Sequence, residues 1–127
     1  MTMSDEFLEV VRGPLDGLGA ALVTFVVDRT RRGQPARPAA VYAALMRASD
    51  RPAVRAHLQE AIDQMIVVPL TPRLRGDDAE LRAHLIGTQL AGLMAALYVM
   101  ESPWLLATPT DGIVARYGAA LQALVDG

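Results

Sequence analysis

The sequence predicts an all-α domain, a bundle of about five main helices, on three observations. Apolar residues recur at three- and four-residue spacing along most of the chain. No segment sustains the two-residue alternation of β-branched side chains that marks a strand. Prolines, glycines and capping residues fall between the periodic runs rather than within hairpin-like turns.

Composition narrows the class further. The 127 residues fit one domain, with 52% hydrophobic but only 5% aromatic residues, so the core is aliphatic. All twelve basic residues are Arg, and with fourteen acidic ones the net charge is −2, which offers no basic field for a phosphate backbone. Cysteine is absent, so disulfide and thiol chemistry are excluded. The acidic start, Met1 to Glu6, lacks a secretory pattern, which leaves the cytoplasm as the expected compartment. The uncharged stretch 85–100 is shorter than the roughly 20 residues of a spanning helix, so no membrane association is expected.

Residues 1–14 read as a flexible lead-in closed by Gly13-Pro14, and residues 15–127 as the domain. The first helix starts near Leu15, with Leu18, Leu22, Phe25 and Val26 on one face and Val23 and Val27 widening it. Arg31, Arg32 and Gly33 suit its C-terminal end, and Gln34 to Pro38 reads as a loop. Val41, Tyr42, Leu45, Met46 and Ser49 predict a second helix, ended by Asp50-Arg51-Pro52. Pro52 opens a third, with a stripe through Val54, Leu58, Ala61, Met65 and Val68. Pro69 and Pro72 predict a kink or break there, and 68–73 is the expected flexible joint.

Asp77 and Glu80 resemble a capping box opening the longest helix, about 78–101. From Leu85 to Met100 that helix is apolar or small on every side, so it needs cover from beyond one core face. Ser102-Pro103 starts a short turn through Trp104. Thr108-Pro109-Thr110-Asp111 then caps a last helix carrying Ile113, Tyr117, Ala120, Leu121 and Leu124.

Catalytic and metal-binding chemistry is missing from the motifs. His57 and His84 have no metal-ligand spacing, Gly13, Gly17 and Gly19 follow no strand, and no nucleophile is paired with a base. The expectation is a protein that is not an enzyme and holds no metal or cofactor.

The segment from Glu80 to Met100 resembles the penultimate helix of TetR-family transcriptional regulators. Arg82, Ala83, Gly87, Gln89, Leu90, Gly92, Leu93, Tyr98 and Val99 stand in the corresponding places. Ser102-Pro103-Trp104-Leu105 is similar to the family's short connector, Ile113 to Leu124 to its final helix, and Gly13 to Val27 to the first helix of its regulatory domain. The resemblance implies an effector-binding and dimerisation domain of a repressor-type regulator, pairing as a homodimer through a four-helix bundle. By that implication, Gly87, Ala91 and Ala95 with Tyr117 and Leu121 are dimer-interface candidates. Phe25, Tyr42, Met46, Met65, Gln89 and Met94 are candidates to line a site for a small apolar ligand. The family's helix-turn-helix would precede this domain, and only fourteen residues stand before Leu15, so this chain alone is expected not to bind nucleic acid. The alternative is a standalone helical module that heterodimerises with a full-length regulator.

Overall fold

The computed structural model describes residues 3–31 and 36–127, and every regular element among them is helical. In chain order these are α1 (Met3–Val11), α2 (Leu18–Arg31), α3 (Ala36–Arg47), α4 (Pro52–Ile62), α5 (Val68–Leu70), α6 (Ala79–Met94), α7 (Pro103–Ala107) and α8 (Thr110–Asp126). Two π-turns, Asp63–Val67 and Ala95–Val99, extend α4 and α6, and a 3₁₀ turn covers Thr71–Arg73.

The core is a single aliphatic cluster. Leu18, Leu22, Val23, Val26 and Val27 of α2 meet Ala83, Ile86, Leu90 and Leu93 of α6 and Ile113, Leu121 and Val125 of α8. Helices α2 and α8 make the most extensive contact, which small residues allow. A Cβ added at Gly19 would overlap the Gly118 carbonyl oxygen and lie 2.6 Å from the Gln122 nitrogen, while one at Gly118 would lie 3.0 Å from Ala20 Cα. The Gln122 amide closes the crossing: its Oε1 accepts from the Gly19 N–H at 2.9 Å, and its Nε2 donates to the Leu15 carbonyl at 3.0 Å. The side chain thus satisfies the Gly19 N–H at the start of α2 and adds a second donor to the Leu15 carbonyl, which also accepts from the Leu18 N–H.

Several local expectations need correction. Residues 3–11 are a helix rather than a lead-in, because Phe7, Val10 and Val11 form a short helical stripe, and Phe7 and Val11 enter the core. Helix α3 begins at Ala36, inside the stretch read as a loop, and Pro38 falls in its first turn, where a missing N–H costs little. Arg32, Gly33, Gln34 and Pro35 lie outside the described residues.

The stripe through Val54, Leu58, Ala61 and Met65 is the half-buried, less exposed side of the helix, but it does not continue to Val68. No residue of α4 is buried, Val68 is exposed, and Ile66, Val67 and Leu70 go inside. The π-turn is the cause: the Val68 N–H bonds to the Asp63 carbonyl five residues back, and the extra residue turns the following face by about 100°. A wider turn also moves the Met65 carbonyl away from the Pro69 ring, which would clash with it in a regular α-helix. The chain therefore stays helical through Pro69, as α5, instead of stopping.

The expected capping box does not form. The Asp78 carboxylate makes no cap and is taken by Arg82 Nε at 2.9 Å. Similarly, Thr108 donates to the Trp104 carbonyl at 2.8 Å and leaves the start of α8 uncapped by a side chain, whereas Ser102 does accept from the Leu105 N–H, at 3.4 Å. Past the second π-turn, Glu101 adopts φ 48, the left-handed conformation usual just after a helix end.

Candidate functional site

Three features of this fold can carry function: a tyrosine junction where α3 meets α6 and α2, a groove between α1 and α2, and the outer face of α6 with α8. The junction is built on the second π-turn, against which α3 chiefly packs. Tyr42 of α3 donates to the Ala91 carbonyl at 3.0 Å, and its ring meets Tyr98 edge-on, with centroids 6.0 Å apart and planes at 82°. Tyr98 in turn donates to the Val26 carbonyl of α2 at 3.3 Å. Burial, and secondarily the neighbouring Tyr98, push the Tyr42 phenol above its ordinary value of 10.0, so it is a neutral donor.

The groove between α1 and α2 has a volume of about 950 Å³ and is open, with Glu6, Glu9 and Asp28 beside Val10, Ala20, Ala21, Thr24, Phe25 and Arg29. Arg29 pairs with Glu6 and lies 4.9 Å from the centroid of the Phe25 ring, which meets Phe7 edge-on at 5.4 Å. This mixed polar lining differs from the largely apolar enclosure typical of small-molecule sites.

On the outer face, the row Leu81, Leu85, Thr88 and Gly92 of α6 is exposed, although two of its members are leucines. On the neighbouring α8, Gly112, Ala115, Ala119, Ala120 and Ala123 are exposed as well. Between these rows, Tyr117 of α8 donates to the Gln89 carbonyl at 2.6 Å, and burial raises its phenol too.

The six ligand-site candidates are all half-buried, but they do not converge. Phe25 lines the α1–α2 groove. Tyr42 sits at the junction, Met46 one turn further along α3, and Met94 lies between Ala91 and Tyr98 in sequence and packs on the core. Met65 packs on the core from the first π-turn. Gln89 offers its carbonyl to Tyr117, and its position is about 200° around α6 from Ala91, so it faces α8 rather than Tyr42.

The interface candidates divide in the same way. Gly87 is buried, and a Cβ there would lie 2.7 Å from the Ile62 side chain. Leu121 is wholly buried in this chain's own core, and Ala91 and Ala95 are half-buried on the side of α6 toward α3. Of the five, Tyr117 borders the exposed face. Small residues mark where helices of one chain approach as readily as where two chains do, and pattern alone does not separate them. Tyr98 and the row Leu81, Leu85, Thr88 and Gly92 lie outside both candidate sets, although that row has helical spacing and no formal charge.

Arg82 is a charge at a buried position. Its guanidinium holds Asp78, the Leu124 carbonyl at 2.8 Å, the Val125 carbonyl at 3.2 Å and the Arg75 carbonyl. It ties the end of α8 to the start of α6, a positioning role. Among the described residues no group of three or more His, Cys, Asp or Glu side chains is placed to hold a metal, and no helix is long and apolar enough to cross a membrane.

Residues 16–125 match the family model of the tetracyclin repressor-like C-terminal domain. The chain belongs to that family. A crystal structure of a TetR-family regulator from Streptomyces coelicolor A3 is similar, with a TM-score of 0.66 and 27% sequence identity over 98% of this chain and 82% of that one. No curated protein matches the chain.

Proposed function

We infer that this chain is the effector-binding and dimerisation domain of a TetR-like transcriptional regulator and pairs as a twofold homodimer. The observation that carries the reading is the uncovered apolar face of α6. Leu81 is 58% exposed and Leu85 39%, in a row that continues through Thr88 and the bare backbone of Gly92. Beside it, α8 presents exposed alanines. Two neighbouring helices whose outer rows are mostly small or apolar, with Arg116 the charge among the α8 alanines, are suited to pack on a twofold copy, and twofold dimers are the commonest soluble oligomers. The interface is therefore Leu81, Leu85, Thr88 and Gly92 with Ala119, Ala120 and Ala123, and Tyr117 at its edge.

The regulator reading assigns the chain no catalysis: it binds a small apolar effector and a second copy of itself, in the cytoplasm. It does not bind duplex DNA alone, because its net charge is −2 and its family match is to the C-terminal domain. Sedimentation of the 127-residue chain at micromolar concentration tests the proposal. A species of twice 13.6 kDa is expected, and a stable monomer contradicts it.

A further inference from the structure

The junction of α2, α3 and α6 has a chemistry that selects its ligand. Its contributing stretches, residues 18–27, 41–46 and 85–100, contain no Asp, Glu, Arg, Lys or His. An ion entering among them would lose its water and meet no counter-charge. The polar atoms that α2 and α6 present there are carbonyl oxygens, each already accepting from a tyrosine hydroxyl. The Ala91 carbonyl also keeps a helical bond, from the Ala95 N–H, so Tyr42 occupies its second lone pair.

Over its described side chains, α3 is the most lightly buried wall of the junction. Among its described side chains Ala43 alone is buried, and the following helix, α4, buries none. The geometry points to a site in which Tyr42 holds the place of an effector. That effector is an uncharged molecule with an apolar body and one hydrogen-bond donor, which takes the Ala91 carbonyl as Tyr42 moves out with α3. Met94 and Tyr98, half-buried against the core, form the wall the apolar body meets. This inference rests on the effector-domain reading above and specifies the effector's class.

Three ligands of one shape test it by titration calorimetry: 4-butylphenol, which donates; 4-butylanisole, which is neutral but does not; and 4-butylbenzoate, which is anionic. On the intact chain the phenol binds most tightly and the benzoate least. Tyr42→Phe removes the competing hydroxyl while keeping the ring. It tightens both neutral ligands about fivefold, the size of one hydrogen bond, and preserves the preference for the phenol. Amide shifts in two-dimensional NMR then centre on Ala91 and Gly92.

Benzoate binding as well as the phenol, equal affinity for phenol and anisole, no gain in Tyr42→Phe, or no binding at all each overturns the inference. If Tyr42→Phe does not fold, the ranking of the three ligands on the unaltered chain decides. Failure of these tests with a dimeric protein removes the Tyr42 site and leaves the effector-domain reading to the sedimentation test. A monomeric protein counts against that reading whatever the phenol does.

Discussion

At the scale of single residues, arginine does structural work in a chain that has no lysine. Arg73 donates to the Val11 and Gly13 carbonyls at the end of α1, Arg31 to the Leu105 and Thr108 carbonyls at the end of α7, and Arg82 to the end of α8. In each case a planar, multiply donating cation sits on carbonyls at the negative end of a helix dipole, and all but the Leu105 carbonyl, which also accepts from the Thr108 N–H, lack a backbone partner among the described residues. Arg82 is the most enclosed of them. Arg82→Leu should lower stability by about 2–4 kcal/mol, because several carbonyls and Asp78 lose their donor. Arg82→Lys should recover less than half of that, since an ammonium cannot span the same set. Urea unfolding monitored by circular dichroism measures both. Tyr42 and Tyr117 give a second residue-scale prediction. Their phenols are raised in the fold from 10.0, so their contribution is complete below pH 10.0 and is lost as pH rises from there through the folded values. The urea midpoint should fall above that pH, and less steeply in the double variant Tyr42→Phe/Tyr117→Phe.

At the scale of elements, the α2–α8 crossing sets the fold's tolerance. Gly19→Ala should cost about 2–3 kcal/mol, because the new methyl meets backbone on the opposite helix and no side chain can move aside. Gly92→Ala, with nothing within 4 Å, should instead raise the monomer's stability by up to about 1 kcal/mol through helix propensity. Thermal melts of the two variants make the comparison. The same elements show what the sequence could disclose. The face of α2, and in part that of α8, was legible because its apolar row keeps one period, whereas α6, apolar or small on every side from Leu85, did not disclose which row goes inside. The buried face after α4 was not legible either: a π-turn is one extra residue, and nothing in Asp63–Val67 announces it until Pro69 is considered together with the turn before it. Helix α1 was missed because its stripe is short and follows a charged start. In the candidate site, the tyrosines and methionines were recognisable by type. Their partners were not, since Tyr42 and Tyr98 bond to backbone carbonyls, which carry no sequence signature.

At the scale of the whole molecule, the account turns on the outer face of α6 and α8. From Leu85 onward α6 is apolar or small inside and out, and its inner face is already filled by Ile86, Leu90 and Leu93. What remains outside is a surface whose exposure in an isolated chain is unfavourable and whose small residues permit close approach. The most direct measurement is sedimentation velocity of Gly92→Arg beside the unaltered chain and a control, Gln59→Arg, placed on exposed α4. Because a side chain at position 92 meets nothing within its own subunit, the variant should fold. Its charge would be buried without a partner in the dimer. The unaltered chain and Gln59→Arg should sediment as dimers, and Gly92→Arg as a folded monomer. A Gly92→Arg protein that sediments as the same dimer would contradict this interface.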